Sequence, residues 1–296
     1  MRRPQLVALP ASLAWAAALA GGCGEADRPP RTTTAPAQSV QTRRPAAPTS
    51  RPALPSREYR VVHVFVALAD NRHQGIVPVP AALGNGQDPK GNLYWGAMYG
   101  VRTWFARSPH WRRAAAAAPA RGCVLDRVVF RGRGLPSDVY VVADAYDGSK
   151  MAQALADFFS AAAAGRRTEV PLDAGRRVLH AGGAADLICF VGHNGLMDAR
   201  PAARPARSRR PRHRAAVVLA CKSREYFLAP LRRAGCPPLI TTTGLMAPEA
   251  YTLEAIVRSW AAGETPARTR EAAAAAYAKY QKCGLGAARR LFAAGE

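Results

Sequence analysis

The sequence is poor in acidic residues relative to basic ones, and it has very little lysine. Its 296 residues include 42 basic and 20 acidic side chains, for a formal net charge of +22, and only five of the basic residues are lysines. Such an excess is typical of proteins that bind nucleic acid or an anionic membrane surface. The abundance of Ala, Pro and Arg also indicates a GC-rich coding bias, so charge alone assigns no partner.

Aromatic residues are missing from the two most biased tracts. Residues 24–57 are dominated by Pro, Thr, Ala, Ser and Arg, and residues 199–214 carry seven arginines and no acid. Neither tract offers rings on which bases could stack, and no zinc-finger or RNA-binding motif occurs, so we expect no nucleic-acid partner. Residues 24–57 predict a disordered tether, and the spaced prolines of residues 199–214 predict a basic surface loop.

Motifs for metals and phosphates are also missing. No HExxH or close-spaced HxH occurs, and the turn at residues 84–86 lacks the ending of a phosphate loop. Asp70, His73 and His193 are metal-ligating types, but without such a motif we expect no metal and no cofactor. Three cysteines lack metal-ligand spacing, namely Cys123, Cys236 and Cys283. Outside the cytosol two of them could form a disulfide, and the sequence does not choose the pair.

The N-terminus has the parts of an export signal. Arg2 and Arg3 precede an apolar stretch at residues 6–19, and small residues follow up to Cys23. The run LAGGC resembles a bacterial lipobox, whose cysteine becomes lipidated, although the usual Leu lies one residue closer to the cysteine. No later segment reaches the roughly 18 apolar residues of a transmembrane helix. We therefore expect residues 1–23 to direct export, leaving either a lipoprotein anchored at Cys23 or a secreted or periplasmic protein.

Residues 58–296 alternate between buried strands and helical stretches. Residues 60–69 (RVVHVFVALA) form a nearly continuous apolar run, which is typical of a strand covered on both faces. Further strands are predicted at residues 139–143, 186–191, 215–220 and 238–242, and helices at residues 93–105, 149–163 and 224–234. This order predicts one α/β domain, a three-layer α/β/α sandwich with a mainly parallel sheet.

Polar and reactive side chains follow the predicted strands. Because ligand sites in parallel sheets lie at the carboxyl ends of strands, these residues are expected at one edge. Asp70 and His73 follow the first strand, and Asp144 follows the second. His193 and Cys221 follow the third and fourth strands. We expect Asp70, His73 and Asp144 to contribute to substrate binding.

His193 and Cys221 form the pair that suits chemistry best. A thiolate is a nucleophile, and an imidazole can withdraw its proton, so a cysteine hydrolase needs both side chains at neighbouring strand ends. The glycines beside His193 allow a sharp turn and free backbone N–H groups to face an oxyanion. The alternative is that Cys221 is simply a small residue buried at a strand end.

The segments ICFVGHNG and AVVLACKS resemble the strand ends of caspase-like cysteine peptidases, especially CHAT-domain proteins. The likeness extends past Cys221, where a helix ending in Ala-Gly, a short strand, a turn and a long helix are expected. In that family a glycine directly follows the histidine, whereas Asn194 precedes Gly195 here. The region around residues 67–105 also resembles a bacterial family of exported lipoproteins without an established activity.

The resemblance implies a caspase-like fold and an endopeptidase acting on a protein or peptide substrate. Cys221 would attack the scissile carbonyl, His193 would protonate the leaving amine, and the N–H groups of Gly195 or Cys221 would stabilise the oxyanion. An acidic pocket wall formed by Asp70 or Asp144 would favour Arg or Lys before the cut. The alternative is a catalytically silent envelope protein that binds a peptide or another envelope component. The sequence does not indicate an oligomeric state.

Overall fold

The computed structural model describes residues 59–114, 122–165, 167–198 and 214–295. The predicted export signal, Cys23, the tether and all but the last residue of the predicted basic loop lie outside this part of the chain. The described residues belong to the unit Arg57–Glu296.

Ten strands are present in the described residues. In chain order they are β1 (Tyr59–Ala67), β2 (Trp111–Arg113), β3 (Val124–Gly132), β4 (Asp138–Tyr146), β5 (Arg167–Leu172), β6 (Arg177–Gly182), β7 (Leu187–Val191), β8 (Ala215–Leu219), β9 (Pro238–Thr242) and β10 (Phe292–Ala294). Eight of them form one sheet in the order β10-β9-β8-β7-β1-β4-β3-β2, and β5 and β6 form a separate hairpin.

The large sheet is mostly parallel. Strands β4, β1, β7, β8 and β9 run in the same direction. β10 at one edge pairs antiparallel with β9, β3 pairs antiparallel with β4, and the edge strand β2 pairs antiparallel with β3. The predicted α/β class with a mainly parallel sheet is therefore confirmed.

Helices cover both faces of this sheet. They are α1 (Val101–Arg107), α2 (Met151–Ala162), α3 (Gly195–Asp198), α4 (Ser223–Arg233), α5 (Ala250–Ala261), α6 (Pro266–Gln281) and α7 (Leu285–Leu291). The apolar sides of α1, α5 and α6 share one hydrophobic core with the sheet, and those of α2 and α4 share a second core on the opposite face. No helix among the described residues is long and apolar enough to cross a membrane.

Strand β1 shows why the sequence forms a buried central strand. Val62, Val64 and Val66 contribute to one core, and Phe65 and Ala67 contribute to the other. Alternate side chains of a strand point to opposite faces, so a strand covered on both faces is apolar at nearly every position. His63 is the buried polar exception in β1.

The strand order places a topological switch point beside β1. β1 pairs with β4 on one side and with β7 on the other, so the chain changes direction across the sheet at this point. The parallel strands thus have the 2-1-3-4-5 order of doubly wound sheets, in which ligands bind outside the carboxyl ends at the switch point. This edge contains Asp70 after β1 and His193 after β7.

The predicted helix at residues 93–105 is wrong over its first half, because only Val101–Arg107 is helical. The preceding residues form turns organised by Asn92, whose backbone carbonyl accepts the N–H groups of Trp95, Gly96 and Ala97. A side chain at Gly96 would lie 1.9 Å from a backbone oxygen of Lys90, so this close approach requires glycine.

The predicted strand at residues 139–143 is too short. β4 continues to Tyr146, so Asp144 lies inside the strand instead of following it. β3 was missed, although it pairs with β4 over most of its length. Three charged residues interrupt VLDRVVFRG, so it lacks the continuous apolar run of the central strands.

Candidate functional site

The ends of β7 and β8 lie side by side. The register pairs Val191 with Leu219, and the N–H of Gly192 donates to the carbonyl of Leu219 at 3.2 Å. His193 and Cys221 each lie two residues after these paired positions. The structure therefore brings the two residues to neighbouring strand ends, as the sequence predicts.

Gly192 allows the chain to turn towards His193. Its φ is +143°, and a Cβ at this position would lie 2.7 Å from the carbonyl oxygen of Ala67 on β1. Only glycine accepts both this backbone conformation and this distance. The glycine before the histidine thus serves the close approach of β7 to the end of β1.

The His193 ring is buried and has a fixed orientation. Its Nε2 donates to Oδ2 of Asp198 at 2.7 Å, and the same oxygen accepts the N–H of Gly75 at 3.3 Å. A carboxylate only accepts, so Nε2 carries the proton in the neutral ring and Nδ1 keeps its lone pair. Nδ1 makes no hydrogen bond within the described part of the chain. It is the nitrogen that can act as a base.

Cys221 is partly exposed, and its sulfur contacts the backbone of Met246. The N–H of Met246 donates to Sγ at 3.4 Å, and Sγ lies 3.6 Å from the Met246 carbonyl oxygen, to which the thiol can donate. A thiolate would keep the first contact and lose the second. Helix α4 begins at Ser223, two residues later, and its positive end favours negative charge nearby.

The chain turns sharply between Cys221 and α4. Lys222 is in the left-handed region with φ +48°, which is uncommon for a residue with a side chain. Two hydrogen bonds hold the turn. The Lys222 N–H donates to the Gly244 carbonyl at 2.8 Å, and Ser223 Oγ donates to the Val218 carbonyl at 2.9 Å. A residue in an uncommon backbone conformation that is held this firmly is typical of a functional site.

Asn194 connects the two strand ends. Its side chain is fully buried, donates from Nδ2 to the Cys221 carbonyl at 2.7 Å, and accepts the N–H of Leu196 at 3.1 Å. The residue that departs from the caspase-like pattern therefore positions the backbone of Cys221. The sequence alone did not suggest this role.

The two predicted oxyanion donors differ. The N–H of Gly195 donates to the carbonyl of His193 at 3.1 Å, so this group is already engaged. The N–H of Cys221 donates to no acceptor in the described residues, which leaves it available to a developing negative charge.

No hydrogen bond joins His193 to Cys221 among the described residues. Each side chain has another partner, Asp198 for the imidazole and Met246 for the thiol. Catalytic hydrogen bonds are often long or misaligned before substrate binds, so this arrangement is compatible with a dyad.

Asp70 lies at the same sheet edge but is fully engaged. Oδ1 accepts the N–H groups of Arg72 and His73 at 2.9 and 3.2 Å, and Oδ2 accepts His73 Nδ1 at 3.0 Å and Gln87 Nε2 at 2.9 Å. Burial alone would raise the pKa of Asp70, but the hydrogen bonds from Gln87, Arg72 and His73 lower it. Asp70 thus organises the loop after β1, and the half-exposed His73 faces solvent beside it.

Asp144 is not at this edge. Oδ1 and Oδ2 accept Nε and Nη2 of Arg127, directly opposite on β3, at 2.5 and 2.6 Å, and Oδ2 also accepts His63 Nε2 at 3.0 Å. The group lies in the sheet interior below α2 and the β5–β6 hairpin. The sequence-based position of Asp144 at a strand end is therefore wrong, because β4 continues past it.

Sequence reasoning missed Asp198 and Tyr94. Asp198 lies only five residues after His193, at the end of the short helix α3, and this spacing was the available signal. Tyr94 lies near both Cys221 and Glu249. Burial raises the pKa of Tyr94, and negative charge at Cys221 and Glu249 raises it further. Burial also raises the pKa of Glu249, although Tyr251 and Gln281 donate to its carboxylate.

The described residues form neither a metal site nor a disulfide. No three His, Cys, Asp or Glu side chains of the described chain form a group suited to a metal ion, and no disulfide joins its cysteines.

Comparisons with protein families, with curated proteins and with solved structures find no match to the chain.

Proposed function

We propose that the protein is a cysteine hydrolase of the caspase-like type, an endopeptidase that uses Cys221 and His193. The observation that carries this proposal is the pair of adjacent strand ends, with an imidazole oriented by Asp198 on one and a partly exposed thiol on the other. Orienting a base through a third residue is how nucleophile–base pairs are generally built.

The reaction follows from the positions of these groups. His193 Nδ1 accepts the thiol proton of Cys221, and the sulfur attacks the scissile carbonyl carbon to form a C–S bond. The Cys221 N–H stabilises the oxyanion. The C–N bond then breaks as the imidazolium gives its proton to the leaving amine. Water, deprotonated by His193, cleaves the thioester, and the proton returns to the sulfur.

The order of elements after Cys221 supports the caspase-like assignment. Helix α4 is followed by Ala234-Gly235, strand β9, a turn and the longer helix α5, which ends shortly before Gly263. This is the order expected from the CHAT-like resemblance. The three-layer arrangement of a caspase-like sandwich is likewise part of the proposal.

We assign the protein to the bacterial envelope on its N-terminal sequence alone, with Cys23 as the lipidation residue and a protein or peptide as substrate. Incorporation of labelled palmitate into the wild-type chain, and its loss in Cys23→Ala, tests the anchor. Equal labelling of both proteins would exclude Cys23, and no labelling of either would indicate plain secretion.

The activity is tested with a panel of fluorogenic peptides. Wild type and Cys283→Ala should cleave the same peptides, and Cys221→Ala should cleave none. Cys283 is the matched control because it is also a partly exposed cysteine. Equal turnover by wild type and Cys221→Ala would remove Cys221 from the mechanism.

A second candidate function is a silent module that binds a peptide at this edge. It is favoured by the missing hydrogen bond between His193 and Cys221 and by the engaged N–H of Gly195. A peptide that binds wild type and Cys221→Ala equally and is never cleaved would establish this function instead.

A further inference from the structure

A second concave site lies away from the His193–Cys221 edge, on the face covered by α1, α5 and α6. It is a cavity of about 600 Å³, and neither His193 nor Cys221 lines it. Cavities that hold small organic ligands have volumes of about 300–1,000 Å³. The cavity is therefore large enough for a ring system with a polar substituent.

One wall of the cavity is aromatic. Tyr99, Trp104 and Tyr280 line it, and the centroids of Trp104 and Tyr280 are 5.2 Å apart with their planes at 86°. Tyr280 also stacks on Tyr251, with centroids 4.4 Å apart and planes at 18°. Rings that hold each other in place form a rigid apolar surface for a flat ligand.

The one carboxylate in the lining is already satisfied. Glu254 is 7% exposed and accepts hydrogen bonds from Trp104 Nε1 at 2.6 Å, Ser108 Oγ at 2.5 Å and Trp111 Nε1 at 3.2 Å. Its charge is thus taken up by three donors that belong to the fold. Glu254 does not present a free carboxylate to a cationic ligand.

Three cations line the same cavity. Arg107, Arg258 and Lys279 are exposed, and none has a carboxylate partner within the described residues. Each lies in the last turn of its helix, where the helix dipole alone favours a positive charge, as it does for Arg233 of α4. The dipole does not explain why three such residues from three helices converge on one aromatic cavity.

We propose that this cavity binds a small molecule with an aromatic ring and a negatively charged group. The ring would lie against Tyr99, Trp104 and Tyr280, and the anion would meet Arg107, Arg258 and Lys279. Arginine suits both parts, because its planar guanidinium binds carboxylates or phosphates in a bidentate manner and stacks on rings. This site is independent of the proposed hydrolase activity.

The charge preference is tested with three ligands that share one ring. The full chain is titrated by calorimetry with 2-naphthoate, 2-naphthalenemethanol and 2-naphthylmethylammonium. The carboxylate should bind with 1:1 stoichiometry and about tenfold more tightly than the alcohol. A tenfold difference in affinity is what one or two additional charge-assisted hydrogen bonds would give. The ammonium should bind most weakly, and added salt should weaken the binding of the carboxylate only.

Variants locate the binding. Arg258→Gln should weaken 2-naphthoate by about three- to tenfold, whereas Arg233→Gln, an exposed arginine at the end of a helix outside the cavity, should leave the affinity unchanged. Ala275→Trp places a large ring at an exposed lining position and should abolish binding without unfolding the chain, which a thermal melt checks.

Four results would overturn the proposal. The first two are equal affinity for all three ligands and tightest binding of the ammonium. The other two are equal effects of Arg258→Gln and Arg233→Gln, and no binding of 2-naphthoate up to about 5 mM.

Discussion

The ion pair between Arg127 and Asp144 lies inside the protein, and removing its cation should be costly. In Arg127→Met the long apolar stem is retained, but Asp144 keeps its negative charge in the sheet interior with only His63 as a donor. Removing one partner of a buried ion pair typically costs about 3–5 kcal/mol of unfolding free energy. We expect a loss of that size at pH 7.

The pKa of Asp144 gives a second measure of this interaction. Burial would raise it, but hydrogen bonds from Arg127 and then His63 outweigh burial and lower it from 3.8 to about 2. A shift of this size corresponds to about 2 kcal/mol that favours the ionised form in the folded state. The cost of Arg127→Met is larger, because the variant also leaves the carboxylate buried without its cation.

The pH dependence has a definite sign. Because the folded pKa of Asp144 lies below the unfolded value, its contribution to wild-type stability is present above about pH 4 and is lost as the pH falls towards 2. Without Arg127, burial dominates and the folded pKa of Asp144 rises. Protonation then relieves the buried charge, so the stability difference between the variant and wild type should shrink from pH 7 to pH 4.

Urea unfolding followed by circular dichroism measures these differences through the transition midpoints. Arg131→Met is the matched control, because Arg131 lies on the same strand and pairs with Asp138 at 2.7 Å, but both side chains are one-third exposed. An exposed pair is worth about 0–1 kcal/mol, so this variant should change little. Equal losses in the two variants, or a loss below about 1 kcal/mol in Arg127→Met, would refute the reasoning.

Two further predictions concern the strand ends. Gly192→Ala should lower stability by about 2 kcal/mol or more in urea unfolding, because the new Cβ would meet the Ala67 carbonyl at 2.7 Å. Gly284→Ala, at an exposed N-cap with nothing within 4 Å, should cost less than about 1 kcal/mol, and equal midpoints would argue against the close approach. Asp198→Asn should lower kcat about 10²- to 10⁴-fold with little change in KM, because an amide can donate to Nε2 and shift the ring to the wrong tautomer. An unchanged kcat would show that Asp198 does not orient His193.

The central strands were predictable because they are covered on both faces. The runs at residues 60–69, 186–191 and 215–220 are almost entirely apolar, and they correspond to β1, β7 and β8. Since the polar residues after such runs must lie at the strand ends, the positions of His193 and Cys221 followed as well.

Other parts of the fold and of the candidate site depend on contacts between residues, and a local sequence pattern does not reveal these contacts. The turns at residues 92–100 look like an aromatic helix until the hydrogen bonds to Asn92 and the tight packing at Gly96 are known. Asp144 looked like the end of a strand, because a buried carboxylate is rare unless a cation such as Arg127 lies opposite. The role of Asp198 requires the short helix α3, which is too brief to show a period in the sequence.

The most direct test of the account is covalent labelling of Cys221 by a thiol-directed peptidyl probe, located by mass spectrometry. If His193 activates this thiol, the probe should modify Cys221 in the wild-type chain and leave Cys283 unmodified, and labelling should disappear in His193→Ala. Labelling of Cys221 at the same rate in wild type and in His193→Ala, or preferential labelling of Cys283, would contradict the His193–Cys221 dyad.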